Sequence, residues 1–331
     1  MRSARETLDA LRLPAAAESL SPLTGDGILL VDLAAGPTPA GDERASLERW
    51  LGELPCPSVA LASGGVLVSE LRDAFDVCVT SDDALGQVVD VVTRRPLASL
   101  ALVQLLRRSE RRSVHEALVD ESLVYSVLQS GPEFGAWLAA RRPKVAVETP
   151  PGPAVRADRE GTRLTLTFDR PEKRNAFSAE MRDALCEALE VALADDGIER
   201  IVLRGEGHAF CSGGDLDEFG TLPDPATAHV IRCTRHPARL LDACRERARA
   251  EVHGACIGAG MELPAFCGSV VARPDASFRL PEVEMGLVPG AGGTCSLPRR
   301  IGRQRTAWLA FTGEAIDAET ALHWGLVDEV R

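Results

Sequence analysis

The chain has 331 residues, enough for one large domain or two modest ones with a buried core. An apolar fraction of 45%, a charged fraction of 26% and a formal net charge of −12 describe an ordinary acidic globular protein. They exclude nucleic acid as the main partner, since nothing basic is concentrated enough to neutralise phosphates.

The N-terminal stretch MRSARETLDALRLPAAAESL is too polar for the apolar core of a signal peptide. Strand-like runs follow at residues 28–33 and 58–62. Ser81-Asp82-Asp83 then caps a predicted helix with Leu85, Val88, Val89 and Val92 on its apolar face. Pro96 suits the first turn of a second helix running to about residue 108. Ser113-Val114-His115-Glu116 is a capping box for a third helix carrying Leu118, Leu123 and Val127. A short fourth helix is expected to hold Phe134, Trp137 and Leu138. The Pro-rich stretch 142–153, RPKVAVETPPGP, is the best linker candidate. The expected division is a region 1–145, a linker 146–158 and a core 159–331.

Beyond the linker the pattern changes. Residues 163–168 alternate polar and apolar, as a half-buried strand does. Ser178 caps a helix with Met181, Leu185, Ala188 and Leu189 on one face. Residues 200–203 and 251–253 read as strands running into Gly-rich segments, and 270–272 and 277–280 as short strands about a Pro274-Asp275 turn. Strand, helix and glycine loop in succession indicate an α/β fold. The most lipid-like stretch, 254–272, contains Glu262 and Pro264 and is expected to be buried in protein rather than to span a membrane. Nine cysteines occur singly, with no C-x-x-C and no spacing suited to zinc, so reduced thiols, a cytoplasmic location and no bound metal are the expectation.

Three segments carry candidate chemistry. In 209–216, AFCSGGDL, the glycines let backbone N–H groups approach a ligand, although a tight turn with an aspartate has the same composition. In 252–263, VHGACIGAGMEL, a strand meets small residues that open a helix, whose free N–H groups suit a developing negative charge. Glu262 follows Ala259 by three residues, about 5 Å of axial rise, so one turn can present an amide donor and a carboxylate together. In 278–294, FRLPEVEMGLVPGAGGT, Glu282 follows a strand and Pro281. Each glutamate also has a structural alternative: Glu262 tied to an arginine, Glu282 as a surface residue like Glu284. Ser212 lacks a G-x-S-x-G elbow and a paired histidine, which argues against a serine nucleophile. His253 reads as strand-end packing.

Taken together and in order, these segments resemble the crotonase (enoyl-CoA hydratase/isomerase) family over about 160–330, beginning with Arg170-Pro171-Glu172-Lys173-Arg174-Asn175-Ala176. The resemblance implies a crotonase-like ββα spiral core with an additional mostly helical region. It implies an acyl-CoA thioester as substrate, with coenzyme A as part of the substrate and no other cofactor, and a homo-oligomer, a trimer or a dimer of trimers. By the same resemblance the thioester oxygen would sit between the amides of Ser212 and Ala259. Arg174, Ala176, Gly213, Gly214, Asp215, Gly258, Pro289 and Gly290 would line the ligand path. Glu262 and Glu282 would be the acid/base pair, which favours hydration of a 2-enoyl thioester or its reverse. An isomerase, a thioester hydrolase and a non-catalytic coenzyme-A-binding subunit are the competing functions.

The family continues past a G-L-V-D-x-V segment into helices that cover the acyl pocket, whereas here that segment is residues 325–330. Residues 76–143 resemble those helices, through Val114-His115-Glu116-Ala117-Leu118 and the run 136–143, AWLAARRP. Asp76-Val77-Cys78-Val79 would parallel the end of the C-terminal half. Circular permutation and fusion of a shrunken repeat (25–145) to a second one both fit, the strand-like residues 28–62 favouring fusion. Either way, 80–143 is expected to pack on 160–331 of its own or a neighbouring subunit. Trp137 stands where the family usually has Phe, and Ala140 where a lysine often reaches coenzyme A, with Arg141 as a replacement.

Overall fold

A computed structural model describes residues 1–63, 69–141, 152–221 and 223–331. The N-terminal part is a four-stranded sheet in the order β1 (Arg2–Ser3), β2 (Leu29–Asp32), β3 (Ser58–Leu61), β4 (Val77–Val79), parallel throughout. The crossovers carry α1 (Ala4–Leu11), α2 (Ala16–Ser19), α3 (Asp42–Glu53) and α4 (Ser69–Arg72). All four residues of β3 are buried, the pattern of a parallel strand covered on both faces. Leu8, Val31, Leu47, Leu51 and Phe75 form a core of their own here. The sequence reading missed β1 and α1, because a two-residue strand has no periodicity to detect. The Ser3/Glu6 capping box that starts α1 was a legible signal.

Four helices follow: α5 (Asp82–Arg94), α6 (Pro96–Ser109), α7 (Val114–Gln129) and α8 (Pro132–Ala140). They begin where their caps indicate. Ser81 Oγ accepts from the Ala84 amide at 3.3 Å, Ser113 and Glu116 form the capping box, and Pro96 and Pro132 occupy first turns.

The C-terminal half alternates strands and helices through β5 (Val155–Glu160), β6 (Arg163–Phe168), α9 (Ala179–Ala194), β7 (Arg200–Gly205), α10 (Pro225–Thr234), α11 (Pro237–Ala243), β8 (Ala248–Val252), β9 (Ala255–Ile257), α12 (Ala259–Glu262), β10 (Ser269–Ala272) and β11 (Ser277–Arg279). It closes with α13 (Gly293–Ile301), α14 (Arg303–Thr312), β12 (Ile316–Asp317), α15 (Ala318–Trp324) and β13 (Glu329–Val330). One sheet runs β13-β10-β8-β7-β6-β5, with β5 the antiparallel edge, and a smaller sheet runs β12-β11-β9. The chain leaves the larger sheet for the smaller after β8 and again after β10, giving the expected ββα repetition. Gly254 makes the first crossing at φ +52°, where a Cβ would lie 2.1 Å from the His208 carbonyl oxygen. No other residue fits there.

Helices α5–α8 pack on this half of the same chain. Val88, Leu102, Leu106 and Leu118 share one core with Leu297 and Leu309. Arg94 pairs with Glu284 at 2.8 Å, and the Arg299 guanidinium donates to the carbonyls of Ser109 and Arg112 at 3.0 and 2.8 Å. The N-terminal sheet is joined on by Asp76, 2% exposed, which accepts from Ser58 N and Oγ and pairs with Arg107 at 2.6 Å and Arg303 at 3.3 Å. Residues 146–151 of the expected linker lie outside the described residues. Its described end is corrected: Val155–Glu160 is the edge strand β5, paired along its length with β6, so an ordered strand occupies part of 146–158.

Candidate active site

Glu262 ends the single turn of α12, 2% exposed. Its Oε2 accepts from the amides of Ala291 and Gly293, each at 2.8 Å. Glu282 reaches the same place from the turn after β11. A Cβ on Gly258 would stand 2.3 Å from Glu282 Oε1 and 3.6 Å from Glu262 Oε1, so both carboxyls face this one glycine. Glu282 Oε2 is buried without a hydrogen-bond partner among the described residues.

Burial raises both acids. Glu282 is pushed up to about 7. Glu262 lies well above the usual carboxylate range, first through burial and then through the neighbouring charges of Glu282 and Glu121. The surface alternative is thereby corrected for Glu282, whose neighbour Glu284 does point outward to Arg94.

The amides expected for an oxyanion hole divide differently. That of Ala259, the first residue of α12, has no partner among the described residues. The Ser212 amide does have one, donating to the Arg174 carbonyl at 3.0 Å, so its placement in the hole is corrected. Two residues on, the Gly214 amide donates to no described residue. The segment is held against β9 and α12: the backbones of Cys211 and Cys256 pair in a single parallel β-bridge, and a Cβ on Gly213 would approach the Ile257 carbonyl oxygen to 3.3 Å.

Two cavities flank this point. One, of about 210 Å³, is lined by Gly214, Ala259, Glu262, Glu282, Gly290 and Tyr125, among others. The other, of about 280 Å³, is lined by Arg141, Lys173, Arg174, Ala176, Ser212, Gly214 and Asp215. Gly214 belongs to both, a geometry that lets a thioester pass between them. Arg174 adopts φ +53° and Asn175 φ +52°. Buried Asn175 holds this loop by accepting from the Arg170 amide and donating to the carbonyls of Glu206 and Ala209. Lys173 pairs with Asp215 at 3.0 Å and Arg141 with Asp217 at 3.0 Å, which fixes two cations at the second cavity. Gly258 lies beneath the carboxyls, and buried Pro289 packs beside Gly293. His253 is a strand-end residue, its Nε2 3.0 Å from the Gly207 carbonyl.

A third carboxylate was missed in the sequence. Glu121, on α7 and 1% exposed, accepts from the amides of Gly292 and Thr294 at 2.7 and 2.9 Å and from Thr294 Oγ1 at 2.6 Å. The four successive amides 291–294 thus alternate between Glu262 and Glu121. Burial pushes Glu121 up to about 7.

The enoyl-CoA hydratase/isomerase family model matches residues 158–331, more than half of the chain. The chain belongs to this family. Curated relatives include the 2,3-dehydroadipyl-CoA hydratase of Escherichia coli (strain K12), 38% identical over 50% of this chain and 65% of that one. The 1,2-epoxyphenylacetyl-CoA isomerase of the same organism is 37% identical over 50% of this chain and 65% of that one. The chain thus spans just under two thirds of the length of these relatives. Among solved structures of the family, the enoyl-CoA hydratase from Mycobacterium smegmatis superposes with a TM-score of 0.50 at 34% identity, over 54% of this chain and 70% of that one. The one from Thermoplasma volcanium GSS1 does so with 0.51 at 32% identity, over 54% and 72%. The unmatched remainder includes α7, which supplies Glu121 and Tyr125 to the site. Among the described residues, no helix is long and apolar enough to cross a membrane, and no group of three acidic, His or Cys side chains is placed to hold a metal.

Proposed function

We propose that the protein hydrates a 2-enoyl-CoA thioester, or catalyses the reverse dehydration. The observation that carries this is the convergence of Glu262 and Glu282 on Gly258, in a cavity that also holds the unpartnered amides of Gly214 and Ala259. Hydration makes a thioester enolate, and backbone donors on its oxygen stabilise it, about 2.7–4 kcal/mol for each donor of such a hole. The Gly214 and Ala259 amides serve that role in this proposal.

The two acids take different parts. Glu262 Oε2 is held by two amides, which leaves Oε1 to take a proton from water as the hydroxyl adds to C3. Glu282 has a free buried oxygen and an affinity for protons near neutrality, which suits an acid that gives its proton to C2. The coenzyme A moiety lies in the second cavity, near Lys173, Arg174 and Arg141. It is part of the substrate, and no further cofactor is needed. Assembly as a trimer belongs to the same proposal, and light scattering on the eluting protein checks it.

The test is loss of enoyl absorbance with a panel of 2-enoyl-CoA thioesters, with Glu262→Gln and Glu282→Gln alongside. Each variant should lose about 10²–10⁴-fold in kcat, the range of a positioned acid or base, while still binding ligand. No turnover of any 2-enoyl thioester, together with absorbance gained from a 3-enoyl thioester, would replace the hydratase with an isomerase.

A further inference from the structure

The 210 Å³ cavity contains more positive charge than enolate chemistry requires. Arg182, Arg232 and Arg235 all line it. Two of them are already paired on the protein: Arg182 with Asp183 at 2.9 Å, and Arg235 with Glu187 at 3.3 Å. Arg232 is not. Among the described residues no carboxylate forms an ion pair with it. Its Nε donates to Ser122 Oγ at 2.9 Å and its Nη2 to Ser126 Oγ at 2.6 Å, while Nη1 has no partner among the described residues. The guanidinium lies over the Tyr125 ring, 5.0 Å from its centre. Tyr125 in turn borders Gly290, where a Cβ would come within 2.5 Å of its ring. Arg232 is therefore aimed and braced by hydroxyls and a ring, none of which neutralises it.

A second group points the same way. His236, 6% exposed, lines the same cavity, and its Nδ1 is buried with no hydrogen-bond partner among the described residues. Burial first, then the nearby arginines, lower it to about 4, so at neutral pH it is a neutral imidazole that can donate one hydrogen bond. The acid on this wall, Glu218, already accepts from the Ala179 amide at 2.9 Å. A half-buried cation without a counter-ion and a buried imidazole nitrogen without a partner, both among the described residues, are costly unless a ligand completes them.

We infer that the acyl group bound here carries an anionic terminus, a carboxylate, received by Arg232 Nη1 and by His236. The inference rests on the coenzyme A thioester reading above and narrows its substrate class. Guanidinium is suited to this because its planar fork matches a carboxylate and stays charged when partly buried.

Binding tests it without requiring turnover. By titration calorimetry, the wild-type protein is compared on a saturated acyl-CoA with a terminal carboxylate and on the methyl ester of the same thioester, with free coenzyme A as a third ligand. The acid should bind at least tenfold more tightly than the ester. Arg232→Gln should reduce that preference to under threefold by weakening the acid alone, and Arg232→Lys should retain part of it. His236→Asn, with the serine braces intact, should cut the preference severalfold. Equal affinity of wild type for acid and ester overturns the inference and leaves the hydratase proposal standing. A preference that survives in Arg232→Gln also overturns it. If no thioester and no free coenzyme A binds, the coenzyme A reading and this inference fail together.

Discussion

At the scale of single residues, Gly258 leaves open the space that Glu282 Oε1 occupies close to Glu262. It sits at φ +51°, and any Cβ there would meet Glu282 Oε1 at 2.3 Å. Gly258→Ala is therefore expected to fold but to push Glu282 aside, with kcat falling about 10²-fold, the loss a misplacement near 1 Å can produce. Steady-state kinetics beside a melting curve checks this. Glu282 also predicts a dependence of stability on pH. Its folded affinity for protons, about 7, exceeds the ordinary 4.5, so the folded state holds the proton more tightly than the unfolded one. Its contribution is present in full below about pH 4.5 and is lost as pH rises through 7. Glu282→Gln lacks that loss. Melting temperatures measured from pH 4.5 to 7.5 should show the variant gaining on wild type as pH rises, and a constant difference would contradict the assignment.

At the scale of elements, the start of α13 accounts for much of the site's geometry. Its amides and those of the preceding Ala291 and Gly292 hold Glu262 on one side and Glu121 on the other. Glu121→Ala would leave Gly292 N and Thr294 N buried and unpaired, which costs about 1–3 kcal/mol for each. Thermal melts should report that loss, and kcat should fall with it because the same loop orients Glu262. Glu262, Glu282 and the glycine segments were legible in the sequence because each sits in a run of unusual composition. Glu121 was not, since one acid in an amphipathic helix has the signature of a solvated face; only its burial distinguishes it. Ser212 was misassigned for a related reason. Composition shows that a turn brings amides inward, but which amide is already used by Arg174 depends on two αL residues that no pattern announces. The edge strand β5 was hidden likewise, since in VRADRE only Val155 is buried and the exposed charges after it read as linker.

At the scale of the whole molecule, the helices α5–α8 lie between an N-terminal sheet and the family core, and Asp76 touches all three. It receives Ser58 from β3, Arg107 from α6 and Arg303 from α14. Asp76→Ala leaves two guanidinium groups facing a cavity, and breaking such a buried pair costs about 3–5 kcal/mol. Denaturant unfolding followed by tryptophan fluorescence, with Trp50 in the N-terminal part and Trp308 in α14, should show both regions destabilised. That these segments are helices was legible from their caps, Ser81, Pro96 and the Ser113/Glu116 box. That they pack on their own chain was not, because a sequence does not distinguish its own surface from a neighbour's.

The bond from Glu121 to Gly292 spans 171 positions in the chain. Contacts so distant form late in folding, because a long loop must close before they contribute anything. The core around β6, β7 and β8 can assemble from near neighbours, but the loop that orients Glu262 stays unclamped until α7 arrives. In a refolding experiment, native-like secondary structure should therefore return ahead of catalytic competence, and the lag between them would time the docking of α7.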